Sequence, residues 1–177
     1  MLLGDHSLTW LGHAAIRLDL ADGTVAYLDP WLENPLAPEG AASPDRVDAI
    51  YITHGHFDHV GNTPDLVAAH QPAVFAIHEI CVYLGDQGAE NPIGSNKGGT
   101  VEGPGGIRGT LVEASHSSCI SGDTGIVAGG EACGWVLELP CGTTLYHDGD
   151  TGLFGDMALI CVVFDIDVAL LPIGGHY

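Results

Sequence analysis

Two adjoining stretches decide how this chain reads: Val47-Asp48-Ala49-Ile50-Tyr51-Ile52-Thr53, and directly after it His54-Gly55-His56-Phe57-Asp58-His59. The first is a short apolar run of the buried-strand type. It feeds straight into three imidazoles and a carboxylate within six residues. In an extended chain, residues two apart point the same way, so His54 and His56 reach one metal together. Where the chain then turns into a helix, Asp58 and His59 project towards a second ion nearby. Imidazole and carboxylate are donors that Zn²⁺ accepts, and Mn²⁺ or Fe²⁺ also uses them. The competing reading of this window is a surface histidine cluster with no role.

Further ligands to such a cluster are expected far away in sequence, at loop positions. His116 stands in Glu113-Ala114-Ser115-His116-Ser117-Ser118, Asp150 in His147-Asp148-Gly149-Asp150-Thr151-Gly152, and His176 in Leu171-Pro172-Ile173-Gly174-Gly175-His176. Each follows an expected strand, at its exit into a glycine-bearing loop. Singly, each reads more simply as a satisfied surface or core residue. Beside the cluster, they read as its other half.

The rest of the chain supplies a scaffold for this arrangement. Ser7 to Leu11, Ala14 to Leu20 and Thr24 to Leu28 read as strands, with Asp22-Gly23 as a hairpin signal. A proline-rich loop runs from Asp29 to Pro44. Thr63 to His70 reads as a helix with Thr63 at the N-cap and Pro64 in the first turn. Ala73 to Ile77 is a buried strand and His78 to Leu84 a short helix. Gly85 to Gly99 and Ser115 to Gly130 read as loops. Strands follow at Thr100 to Val101, Ile107 to Ala114, Trp135 to Leu139, Thr143 to His147 and Val168 to Leu171, with a helix over Leu153 to Phe164. Strands first, then strands mixed with helices, imply two packed sheets with helices outside, an α/β layered sandwich in a single domain spanning residues 1–177. The chain stops at Gly174-Gly175-His176-Tyr177 just after an apolar strand. The expectation is a domain lacking its C-terminal element or elements, as a fragment or one completed by a partner subunit.

Composition narrows the class. At 177 residues and 46% apolar content the chain is long enough to bury a core without disulfides. Four Lys plus Arg against 23 Asp plus Glu give a net charge of −19. Arg17, Arg46, Lys97 and Arg108 are too scattered to form the basic patch that a nucleic acid or anionic membrane requires. No apolar run approaches the ~20 residues that span a bilayer. Five cysteines without a C-x-x-C pair, and no signal-peptide pattern, point to a reduced, cytoplasmic setting. The expected partners are a small-molecule substrate, with an anion among the candidates, and further copies of the chain in a homo-oligomer.

Trp10-Leu11-Gly12-His13, Leu28-Asp29-Pro30, the His54 to His59 cluster, Asn96-Lys97-Gly98-Gly99-Thr100, Ser115-His116-Ser117-Ser118, Gly149-Asp150-Thr151-Gly152 and Leu171 to His176 together resemble the metallo-β-lactamase superfamily. Within it the chain is most similar to small metal-dependent hydrolases related to L-ascorbate-6-phosphate lactonase. The resemblance implies a four-layer αββα sandwich with the site between the sheets. It implies two divalent metal ions, zinc foremost and manganese or iron as alternatives. His54, His56 and His116 would hold the first ion, and Asp58, His59 and His176 the second. Asp150 would bridge them, and a hydroxide between the ions would attack an ester, lactone or phosphodiester bond. Asp58 and Asp150 are then the candidate catalytic carboxylates.

Around these ligands, His13 and Asp29 stand at strand ends, His147 precedes the Asp150 turn, and Lys97 occupies a glycine-rich loop. All four are candidates for pocket or supporting roles. Ligating histidines usually donate their other N–H to a carboxylate, which Asp29 can supply. Lys97 offers a contact for an anionic substrate. The other readings are a non-catalytic or degenerate metal-binding module and a di-iron oxidoreductase of the same superfamily. In that oxidoreductase branch Glu tends to replace the second histidine of the cluster, whereas this chain has His56. β-Lactam hydrolysis is disfavoured, because no secretory signal is visible.

Overall fold

In a computed structural model that describes residues 1–122 and 125–174, the chain forms two facing sheets flanked by helices. In order along the chain, the first half comprises β1 (Leu2–Leu3), β2 (His6–Trp10), β3 (Ile16–Asp19), β4 (Val25–Leu28), β5 (Ala49–Tyr51), α1 (Phe57–Val60), α2 (Thr63–His70), β6 (Ala73–Ile77), α3 (His78–Asp86) and β7 (Pro92–Ser95). The second half comprises β8 (Thr100–Glu102), β9 (Arg108–Glu113), β10 (Cys119–Gly122), β11 (Gly125–Ala128), β12 (Cys133–Glu138), β13 (Thr144–His147), α4 (Met157–Phe164) and β14 (Val168–Leu170). Strands β1 to β7 form one sheet in sequence order. The other sheet runs β14-β13-β12-β9-β8, and β10 pairs with β11 in a separate hairpin. No helix among the described residues is long and apolar enough to cross a membrane.

The first sheet changes character midway. Strands β1 to β4 are antiparallel, and β4 to β7 are parallel. The β3–β4 connection is the Asp22-Gly23 hairpin, with Gly23 at φ 87° and the Thr24 amide donating to Asp22 Oδ1 at 2.9 Å. Parallel strands need long crossovers, which the Pro30 to Pro44 loop, α1 with α2, and α3 provide. Accordingly β4 and β5 are buried along their whole length, while β3 alternates buried and half-buried residues.

The core lies where the sheets face each other. On β12, Cys133, Trp135 and Leu137 point into this core, whereas Val136 points to the opposite face and meets Ile160 of α4. This is the period-2 alternation of a strand covered on both sides. Trp135 meets Tyr51 edge-on at 5.2 Å, and Tyr51 stacks on Phe75 at 4.7 Å. The Trp135 indole also donates to Ile52 O at 2.9 Å, which ties the two sheets together across the core.

Most expected elements form within a residue or two of their expected ends, and Thr63 to His70 and Ala73 to Ile77 match at both ends. Three differences have local causes. The Gly85 to Gly99 loop contains β7, an edge strand opening on Pro92, a position where proline does not interrupt the ladder. The Ser115 to Gly130 loop contains the β10–β11 hairpin, whose β11 residues are all exposed and so show no apolar alternation. Thr63 is the first helical residue rather than the N-cap. Asn62 holds that position, and its Oδ1 accepts from the Leu32 amide at 2.7 Å instead of capping the helix.

Candidate metal centre

The site begins where one strand leaves both sheets. Past the end of β5, the Ile52 amide donates to Phe75 O at 2.9 Å, and Thr53 O accepts from the Cys133 amide at 3.0 Å. This segment is therefore bonded to β6 in one sheet and β12 in the other before it delivers His54. Gly55 follows because an added Cβ would lie 2.9 Å from Cys119 O, so β10 can approach only a glycine. His56 is still extended (φ −66°, ψ 152°), and the chain turns into α1 at Phe57, which redirects Asp58 and His59.

Two groups of ligand atoms result. His54, His56 and His116 each bring one such atom to within 4.8 Å of the others, as do His13, Asp58, His59 and Asp150. In the first group His54 Nε2 lies 3.0 Å from His56 Nδ1, and the His116 ring is 5.0 and 5.1 Å from theirs. In the second, His59 Nε2 lies 3.2 Å from His13 Nε2 and 3.5 Å from Asp150 Oδ2. Asp150 Oδ2 is also 3.9 Å from His116 Nε2, so this carboxylate stands between the groups. The loops bearing His116 and Asp150 are joined by Gly152 N to Ser115 O at 2.9 Å and Ser115 N to Thr151 Oγ1 at 2.8 Å. His176 lies outside the described residues.

The outward-facing nitrogens explain why these atoms converge with free lone pairs. Asp29 is fully buried and accepts from the Thr53 amide at 2.8 Å, Thr53 Oγ1 at 2.7 Å, His59 Nδ1 at 2.8 Å and His147 Nε2 at 2.9 Å. The Thr53 hydroxyl has one proton and gives it to Asp29, so it accepts from His54 Nδ1–H at 3.0 Å. That leaves His54 Nε2 unprotonated. Ser117 Oγ stands 3.3 Å from His56 Nε2 and can accept its N–H, the tautomer that leaves Nδ1 free. His59 is oriented through Asp29 in the same way. In that His56 tautomer two lone pairs stand 3.0 Å apart and repel one another unless a cation lies between them; otherwise His56 Nδ1–H donates to His54 Nε2 until a cation displaces that proton. No lysine or arginine joins either group among the described residues. The donor set thus fits divalent cations, with the supporting hydrogen bonds that metal-binding histidines require.

Electrostatics agree. Burial, together with the nearby His59, pushes His54 down to about 3, so it is neutral at physiological pH. Burial opposes charge on His59, yet Asp29 and Asp150 bring it up to about 10, so without a cation its Nε2 keeps a proton towards Asp150 that a bound cation would replace. Asp150 is held down to about 2 by its bond from His59. Burial likewise opposes ionisation of Asp29, but His59 and His147 keep it well below the usual carboxylate range. The site therefore holds fixed negative charge and draws in positive charge.

The supporting candidates divide. Asp29 and His147 sit directly behind the ligand atoms, and His13 stands among them. Lys97 is not free for an anion: its Nζ lies 2.8 Å from Glu113 Oε1 and 3.1 Å from Glu131 Oε2. It lines a cleft of about 390 Å³ with those carboxylates, Ser115, His116 and Ser118. Thr53 and Ser117 join the site as hydrogen-bond partners without being among the residues the sequence singles out. Both are adjacent in sequence to a ligand histidine, but nothing in the local pattern shows which way a hydroxyl will face.

Residues 23–176 match the family model described as a β-lactamase superfamily domain. The chain is 44% identical over 171 residues to a protein of Koribacter versatilis named UPF0173 metal-dependent hydrolase, covering 96% of this chain and 73% of that protein. It is 46% identical over 176 residues to a protein of the same family name in Myxococcus xanthus, covering 98% and 62%. The chain thus spans roughly three fifths to three quarters of the length of these relatives. Among solved structures, Igni18, a metallo hydrolase from the hyperthermophilic archaeon Ignicoccus hospitalis, superposes with a TM-score of 0.79 at 36% identity, over 96% of this chain and 71% of that one.

Proposed function

This chain belongs to the β-lactamase superfamily and, within it, to the UPF0173 metal-dependent hydrolases, and we propose that it works through two divalent ions to hydrolyse an ester, lactone or phosphodiester bond in a small molecule. The observation that carries this reading is the pair of ligand-atom groups with the Asp150 carboxylate between them. His54, His56 and His116 would hold one ion. Asp58 and His59 would hold the other, with Asp150 shared and His176 as a further ligand. Zinc suits this mixture of imidazole and carboxylate donors, and manganese or iron is the alternative.

When bound, two cations supply a hydroxide nucleophile near neutral pH and polarise the carbonyl or phosphoryl oxygen of the scissile group. The remaining work falls to the protein. Thr53 and Asp29 fix the tautomers of His54 and His59, so each presents Nε2 to the site. Asp150, ionised at neutral pH, offsets the cationic charge from a position near both His59 and His116. The cleft beside His116 offers substrate a polar wall in which Lys97 is balanced by Glu113 and Glu131. Such a wall favours neutral hydroxyl-rich or amine-bearing groups over strong anions.

The test combines metal analysis with turnover of bis(p-nitrophenyl) phosphate and of a simple aliphatic lactone. The expected result is uptake of two equivalents of metal, with turnover lost on chelation and restored by zinc or manganese. His56→Ala or Asp58→Ala is expected to abolish both turnover and stoichiometric metal uptake. Full turnover in either variant would refute the assignment.

A further inference from the structure

His13 lies at the turn between β2 and β3, more than forty residues before the cluster it meets. Its backbone is in the left-handed region (φ 48°), directly after Gly12 at φ 99°. That conformation is uncommon for a side chain with a Cβ. Here it is held on two sides: Trp10 Nε1 donates to His13 O at 2.7 Å, and the His13 ring meets Trp31 edge-on at 5.5 Å. The turn therefore aims the imidazole inward. Its Nε2 stands 3.2 Å from Asp58 Oδ2 and 3.2 Å from His59 Nε2.

A simple ion pair with Asp58 would account for only the first of these contacts. His59 donates to Asp29 through Nδ1, and its Nε2, which faces His13, carries towards Asp150 a second proton that a cation there would displace. A single proton on His13 Nε2 cannot serve both Asp58 and His59. A cation can. With metal–nitrogen bonds of about 2.0–2.1 Å, adjacent ligand atoms around one ion stand roughly 3.0–3.4 Å apart. The spacing of His13 from both neighbours falls in that range.

We infer that His13 is a direct ligand, through Nε2, of the second metal ion, alongside Asp58, His59 and Asp150. The inference rests on the two-metal reading of the site. It makes the first hairpin of the chain part of the metal centre. Among the described residues the second ion would then draw its donors from three separate segments: the turn after β2, helix α1 and the loop after β13.

The test uses the full chain stripped of metal and titrated with Co²⁺, followed by its visible absorption and by the metal bound after gel filtration. Wild type is expected to take up two equivalents. His13→Ala is expected to bind the first equivalent unchanged and the second at least about 100-fold more weakly, beyond what loss of a supporting hydrogen bond usually costs. Its second-site spectrum should shift as a nitrogen donor is lost, and added imidazole should restore both affinity and spectrum. His13→Gln, checked with His13→Ala by circular dichroism, guards against a folding artefact and should behave the same way. Two equivalents with wild-type affinity and spectrum in these variants would overturn the assignment. So would weaker uptake with an unchanged spectrum and no imidazole rescue, which would make His13 a positioning residue. Wild type that takes up a single equivalent would overturn the two-metal reading, and this assignment with it.

Discussion

Two carboxylates in one turn, Asp148 and Asp150, face opposite ways and meet opposite fates. Asp150 faces the histidines and is held ionised by His59. Asp148 is completely buried on the other side, burial pushes it up to about 6, and neither of its oxygens has a hydrogen-bond partner among the described residues. The folded chain therefore binds this proton more tightly than the unfolded chain does. Stability carried by the protonated form is present below the ordinary value of 3.8 and is lost as pH rises through about 6. Asp148→Asn, which stays neutral, is expected to be more stable than wild type at pH 8 by up to about 3 kcal/mol, with little difference at pH 4. Urea unfolding at both values checks this, and an equal gain at each would contradict it. The sequence marks Asp148 and Asp150 alike, as acids in a glycine turn. Which of them meets histidine depends on how the turn past β13, with Gly149 at φ 59°, directs each side chain.

At the level of elements, the site depends on how firmly β5 is held at its exit. Trp135 of β12 does this across the core, through its indole bond to Ile52 O and its contact with Tyr51. Trp135→Phe keeps an aromatic ring but orphans a buried carbonyl. The expected cost is about 1–3 kcal/mol in urea unfolding, with metal uptake left at the wild-type level once the protein is folded. Loss of metal uptake from a folded variant would mean that Trp135 acts on the site itself. The strands that feed the site, β4, β5, β6, β9, β12 and β13, were legible because buried strands are dense in β-branched and aromatic side chains. β7 and the β10–β11 hairpin were not. Their pairing comes from neighbours brought alongside by the fold, in segments where Pro, Gly and exposure erase the local signal.

On the scale of the molecule, the two sheets bury a shared core, but α4 is apolar all round and buries only Ile160. Leu159, Val162 and Val163 are 59%, 79% and 63% exposed, and Leu153 and Ile173 are almost fully exposed. An apolar surface of this kind is uncommon on a monomeric soluble protein. The folded 177-residue chain is expected to bind the dye ANS and raise its fluorescence, and Val162→Glu should reduce that signal without altering the far-ultraviolet circular dichroism. No dye binding by the native chain would contradict this picture of the α4 face.

The local order of residues determined the candidate donors: His54, His56, Asp58 and His59, the i, i+2 geometry at a strand exit, and the expectation that His116 and Asp150 would lie at the ends of other strands. It also determined the layered α/β class, since periodicity and burial are written residue by residue. Only the tertiary structure decided which donors meet and in what protonation state. Asp29 joins Thr53 past β5, His59 on α1 and His147 on β13, His13 arrives from the turn after β2, and Lys97 is claimed by Glu113 and Glu131. The reason is physical. A ligand's identity is a property of its own side chain, whereas its orientation and charge are set by groups tens of residues away that become neighbours only when the sheets close.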